Sequence, residues 1–144
     1  MHPFILFLDF DGVLHPGTTG TMRHVPVLDA FLRDYLAVRL VVSSDWRLSE
    51  SLEDLRGWFP DGLARRLIDT TPALNPTACH RQREIEAWLA THPTQLWRAL
   101  DDEATLFAHG CPWLVQTERR HGLDERALAQ LALVLDGAGL RSGR

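Results

Sequence analysis

The segment Phe4-Ile5-Leu6-Phe7-Leu8 runs without a polar residue into Asp9-Phe10-Asp11-Gly12, and no other stretch constrains the chain as strongly. A short continuous apolar run ended by a turn signal reads as a strand buried on both faces. Such a strand delivers the carboxylates of Asp9 and Asp11 to its C-terminal end, the edge at which open parallel sheets bind ligands. Two carboxylates at i and i+2 are costly to bury without a cation, and their hard oxygen donors suit Mg2+. Gly12 frees the backbone to turn at once. An ordinary strand-end turn, for which Asp-Gly is a common pair, would use the same residues, so the remainder of the chain decides between the two.

Downstream, short apolar or β-branched runs alternate with segments of helical period, the pattern of a parallel sheet covered by helices. Leu28, Phe31, Leu32, Tyr35 and Leu36 predict a helix over 27–36, and Arg39-Leu40-Val41-Val42 a second buried strand. Leu48, Leu52 and Leu55 mark a helix through to Trp58 that Gly57 and Pro60 stop. Leu67-Ile68-Asp69 reads as a third strand, 82–91 as a helix with Ile85, Trp88 and Leu89 inward, 97–100 as a fourth strand and 113–115 as a fifth. Asp124 N-caps a last helix whose stripe is Leu128, Leu131, Ala132 and Leu135. The expectation is one three-layer α/β/α domain over residues 1–144, with a Rossmann-like parallel sheet of about five strands. The tryptophans at 46, 58, 88, 97 and 113 read as core.

Composition narrows the chemistry. A chain of 144 residues has room for one core, and 45% hydrophobic with 24% charged residues is the balance of a folded, water-soluble domain. All 15 basic residues are arginine, against 19 acidic ones, for a net charge of −4. Without lysine there is no Schiff-base chemistry and no P-loop of the usual kind, so a phosphate-binding cation must be arginine, a protonated histidine or a metal. The acidic balance argues against a broad nucleic-acid-binding surface, while a local arginine cluster can still guide a nucleic-acid end into a site. Cys79 and Cys111 make no disulfide framework, which fits a reducing cytoplasm. The apolar run stops at Asp9, far short of the ~20 residues of a membrane span, and lacks the marks of a signal peptide. His15, His24, His80, His92, His109 and His121 show neither HxxxH nor HxH spacing, which argues against zinc. Arg65-Arg66 and Arg119-Arg120 read as solvated pairs.

Three further segments stand at strand ends or helix starts. Leu40-Val41-Val42-Ser43-Ser44-Asp45-Trp46-Arg47 ends a strand in hydroxyls, Ser43 directly after the apolar run and Ser44 behind it. Cys79-His80-Arg81-Gln82-Arg83-Glu84-Ile85 opens a helix with Arg81 and Arg83, and with His80 as a weaker cation. Ala99-Leu100-Asp101-Asp102-Glu103 ends a strand in adjacent carboxylates, which repel each other unless a cation sits between them and the first pair. Capping by Ser-Ser-Asp, a solvated Arg83 and an acid-rich helix start account for the same residues in structural terms.

With these four segments in order, the chain resembles the haloacid dehalogenase (HAD) superfamily of phosphotransferases and phosphatases, as a small, capless, phosphatase-like member. The resemblance implies that Asp9 is a nucleophile and Asp11 a general acid/base. It implies that Ser43, or else Ser44, binds the phosphoryl group, and that Arg81, ahead of Arg83, supplies the cation where the family has Lys or Arg. It assigns Mg2+ to Asp9, the backbone carbonyl of Asp11 and one of Asp101 or Asp102, the other acting through water. The expected activity is a Mg2+-dependent phosphoric monoester hydrolase working through an aspartyl-phosphate. Only a flap over about 12–25 separates the first motif from the first helix. An uncapped site admits phosphorylated protein or nucleic-acid ends as well as small phosphorylated substrates, or takes its cover from a second subunit of a homodimer; no membrane partner is expected. The competing reading is a metal-binding regulatory or interaction domain that keeps the acidic site without turnover. A receiver domain is disfavoured by the missing lysine and by the position of the DxDG strand as first rather than third.

Overall fold

The computed structural model describes residues 4–93 and 96–143, so the outermost residues of the expected 1–144 domain lie outside the described ones. Five strands, β1 (Phe4–Leu8), β2 (Val38–Val42), β3 (Leu67–Thr70), β4 (Trp97–Asp101) and β5 (Leu114–Gln116), form one parallel sheet in the order β3-β2-β1-β4-β5. Every residue of β1 is fully buried, as its unbroken apolar run requires of a strand with neighbours on both edges and cover on both faces.

The alternation of β1 divides the core in two. Phe4, Leu6 and Leu8 face helices α1 (Val25–Leu32) and α5 (Glu125–Gly137), together with Leu55 and Leu63 from the short α2 (Leu52–Arg56) and α3 (Asp61–Ala64). Ile5 and Phe7 face Ile85 and Trp88 of α4 (His80–Thr91). Phe7 meets Trp88 and Trp97 edge-on, each with ring centroids 5.6 Å away. These are the three expected layers. Among the described residues no helix is long and apolar enough to cross a membrane, and Cys79 and Cys111 are free.

Local departures have local causes. α1 starts early, at Val25, because Pro26 is preset for a first helical turn. It ends at Leu32, leaving Leu36 59% exposed instead of inward. Arg66, expected to be solvated, donates to the Leu32, Tyr35 and Val38 carbonyls and so closes this helix end. The helix expected from Leu48 through to Trp58 is replaced by a 3-10 turn at Asp45–Leu48 and the short α2, and α3 follows beyond Pro60. The Ser51 hydroxyl accepts from Asp54 N–H and starts α2 afresh, so Leu48 is left exposed. Trp88 and Trp97 are core, whereas Trp58 and Trp113 are more than 40% exposed. Asp124 caps α5 through Ala127 N–H as its type and position predict.

Candidate active site

Strand register assembles the site. Leu8 is level with Val42 on β2 and Leu100 on β4, so the next residues, Asp9, Ser43 and Asp101, emerge together at the C-terminal edge. This is where strand order reverses direction, the usual ligand crevice of an open parallel sheet. Gly12 makes the close approach that follows. It has φ +72°, and a Cβ there would lie 2.3 Å from Asp102 Oδ2. Thr117 Oγ1 donates to the Gly12 carbonyl at 2.6 Å and holds the turn from the β5 side.

Asp9, Asp101 and Asp102 are all buried, and each offers an oxygen within 4.8 Å of the others'. Arg81, on the first turn of α4, reaches Asp101 Oδ2 at 2.9 Å, Asp9 Oδ1 at 3.2 Å and Asp45 Oδ1 at 3.1 Å. Arg83 points outward, is exposed and bonds Thr77 instead. The difference is helical phase: Arg81, Glu84, Ile85 and Trp88 form the buried face of α4, and position 83 lies off it.

Burial, then the neighbouring charge of Asp101, push the Asp9 carboxyl well above the usual carboxylate range, more strongly than Arg81 can draw it down. Burial also raises Asp101, although Arg81 and the Glu103 N–H pull the other way. Burial works against the charge of Arg81, but Asp101, Asp9 and Asp45 together outweigh it and hold the guanidinium above its ordinary value. Two guanidinium groups, Arg81 and the half-exposed Arg119, stand among Asp9, Asp45, Asp101 and Asp102 and leave negative charge uncompensated. Both oxygens of Asp101 accept hydrogen bonds, from Arg81 and from Glu103 N–H. Asp102 accepts from Arg119 at Oδ2, while its Oδ1 is buried and without a partner. An all-oxygen donor set with excess negative charge and an unpaired buried oxygen fits a divalent cation.

The two serines differ. Ser43 N–H continues the sheet ladder to the Leu8 carbonyl, and its buried Oγ has no partner. Ser44 Oγ accepts from Trp46 N–H as an N-cap. Ser44 lines the cavity, of about 180 Å³, that Asp9, Asp11, Asp45, Arg81, Asp102, Glu103 and Arg119 also line. A larger hollow of about 460 Å³ runs beside β5, but its charged residues, Glu118, Asp124 and Arg126, are all exposed. Buried charges converge on the smaller one, which makes it the candidate site.

A family model described as "HAD domain in Swiss Army Knife RNA repair proteins" matches residues 5–128. The chain belongs to this family. No curated protein and no solved structure matches the chain. The match runs from within β1 to the early part of α5 and so takes in all the carboxylates of the site. Among the described residues of this HAD domain no cap stands over the sheet edge; residues 12–25 are closed on themselves by Gly12 N–H to Gly17 O and tied to the body by Gly17 N–H to Arg119 O and His24 Nε2 to His121 O.

Several residues of the site escaped sequence reasoning. His15 is fully buried, with Nε2 2.7 Å from Asp11 Oδ1. Trp46 donates its indole N–H to the same oxygen at 3.2 Å. Arg119, expected in solvent, bonds Asp102 at 3.0 Å. Arg47 binds the carbonyls of Ser43, Ser44, Thr71 and Pro72 and pairs with buried Glu84 at 2.7 Å, clamping the loops after β2 and β3 to α4. Glu84 alone had a signal, three residues after Arg81 and four before Trp88 on one helical stripe. His15 and Trp46 reach Asp11 through space from aperiodic segments.

Proposed function

We propose that this HAD domain is a Mg2+-dependent phosphoric monoester hydrolase that turns over through an aspartyl-phosphate on Asp9. The observation that carries the reading is the buried Asp9–Asp101–Asp102 cluster, overfilled with negative charge and faced by Arg81 at the mouth of an open cavity. Asp9, Asp102 and the Asp11 backbone carbonyl would hold the ion directly. Asp101, whose oxygens are already bonded, would act through water. When bound, the ion supplies positive charge to the phosphate oxygens.

Asp9 attacks phosphorus while Asp11 gives its proton to the leaving oxygen, so that the P–O bond to the substrate breaks and an alcohol departs. Asp11 then takes a proton from water. The water oxygen attacks the aspartyl-phosphate, the P–O bond to Asp9 breaks, and inorganic phosphate leaves with both carboxyls restored. Arg81 offsets charge beside Asp9, and the hydroxyls of Ser43 and Ser44 are the nearby donors for the phosphoryl oxygens. The open sheet edge and the RNA-repair description of the family favour a phosphorylated RNA end as substrate.

The test is phosphate release with Mg2+ from 5′- and 3′-phosphorylated oligonucleotides and small phosphomonoesters. Activity is expected in the full chain and absent in Asp9→Asn. Undiminished release by Asp9→Asn would refute the mechanism. Thermal stabilisation by Mg2+ with no hydrolysis across the panel would instead support the non-catalytic, metal-binding reading.

A further inference from the structure

The Asp11 carboxylate is held by two side chains that the reaction above does not use. His15 Nε2 lies 2.7 Å from Oδ1, and Trp46 Nε1 donates to the same oxygen at 3.2 Å. The ring of His15 is fully buried, its Nδ1 has no partner, and it lies beside the Trp46 indole with centroids 5.7 Å apart. A buried imidazolium would leave an N–H unpaired at Nδ1, whereas the neutral Nε2–H tautomer leaves only a lone pair there. His15 therefore donates. Trp46 is fixed in turn by Phe10 and Trp58, with centroids 5.2 and 5.6 Å away.

Resting on the phosphatase reading, we propose that His15 and Trp46 are positioning residues that fix which oxygen of Asp11 carries the transferred proton. Two donors occupy both lone pairs of Oδ1, so a proton on that oxygen would break one of these bonds. Oδ2 is left as the acid in the first half-reaction and the base in the second. The same grip holds the carboxylate against rotation, which would otherwise exchange its two oxygens. His15 reaches this place because the chain after Gly12 folds back: Leu14 N–H bonds Phe10 O, and His24 N–H bonds Leu14 O.

Leaving-group dependence separates this role from simple support of the fold. Cleavage of an alkyl phosphate needs a proton on the departing oxygen, whereas 4-nitrophenolate leaves without one. kcat/KM reports the steps through the first bond cleavage. In His15→Phe, the ratio of kcat/KM for an alkyl phosphate to that for 4-nitrophenyl phosphate should fall about tenfold or more, a part of the ~10²–10⁴ that general acid catalysis contributes. His15→Gln, which returns an N–H, should recover most of it. Trp46→Phe should show the same signature at smaller size, and it serves if His15→Phe does not fold. Equal losses on both substrates in a folded variant, or no loss, would overturn the proposal. A readout independent of turnover is the ring 15N spectrum of His15. An Nε2–H, Nδ1-unprotonated ring whose proton exchanges slowly in the wild type and rapidly in Asp11→Ala is expected. An Nδ1–H ring, or signals indifferent to Asp11→Ala, would overturn the proposal even in a protein without phosphatase activity.

Discussion

Asp9 and Asp11 stand two residues apart, and their carboxylates have opposite surroundings. Asp9 is buried against Asp101 and Asp102, and only Arg81 among the described cations reaches its own carboxylate, so its charge is held at a cost. Asp11 is 34% exposed and accepts hydrogen bonds from His15 and Trp46, so its orientation is held. Strand alternation alone would put residues two apart on one face, but both lie past the end of β1, where the chain turns at Gly12 with φ +72°. A crowded carboxylate favours whatever cation relieves it. A gripped carboxylate keeps one geometry. In the proposed reaction these are the separate needs of a nucleophile beside a metal and of a proton shuttle.

Asp9→Asn and Asp11→Asn give the strongest contrast. Both should reduce phosphate release below detection, yet Asp9→Asn should raise the melting temperature of the metal-free protein by a few degrees because it removes a crowded charge. Asp11→Asn should leave it unchanged or lower it. If the two variants melt alike, the difference in surroundings has no energetic content.

Arg81→Gln tests the crowding from the cation's side. Removing one partner from a buried ion pair costs about 3–5 kcal/mol, and urea unfolding at neutral pH should show a loss of this order. The loss should shrink in acid, where Asp9 and Asp101 take up protons.

A pH series on the metal-free wild type is the next most sensitive test. Because Asp9 and Asp101 titrate higher in the folded than in the unfolded chain, the folded state binds more protons above the ordinary aspartate value of about 3.9. Their contribution is therefore fully present below that pH and is lost as pH rises through the raised folded values. Asp9→Asn should flatten this slope, and saturating Mg2+ should restore stability on the high-pH side. A slope unchanged by Asp9→Asn would place the crowding elsewhere. The smallest effect belongs to Arg83→Ala, which should shift stability by less than about 0.5 kcal/mol and leave kcat/KM within twofold, since its side chain points away from both carboxylates.

The crowded side was legible in the sequence and the gripped side was not. An apolar run ending in acid announces a buried strand with charge at its tip, and two such runs, ending at Asp9 and Asp101-Asp102, are enough to foresee a cation site between adjacent parallel strands. Helical phase would have separated Arg81 from Arg83 once the frame was set by Ile85 and Trp88. The contacts of His15 and Trp46 depend on how a Gly-rich turn and a 3-10 turn fold back in space, for which neither segment carries a period. The break in the helix expected from Leu48 to Trp58 was missed for a related reason: Leu48, Leu52 and Leu55 satisfy a helical spacing, while a single serine hydroxyl at Ser51 resets the backbone. The buried Arg47 was read only as the end of a serine motif, yet it joins three separate segments.

α4 places Arg81 and Glu84 on the same face that buries Ile85 and Trp88 against Phe7. The helix has no separate surfaces for holding the sheet and for neutralising the site. A substitution that lets it roll or slide by a fraction of a turn, such as truncation of Trp88 or Phe7 deep in the core, would carry the guanidinium off the carboxylates while leaving every polar residue of the site in the sequence. In the proposed reaction, apolar variants far from the cavity should therefore lower turnover as well as stability, and a survey confined to charged residues would misjudge where this protein is vulnerable.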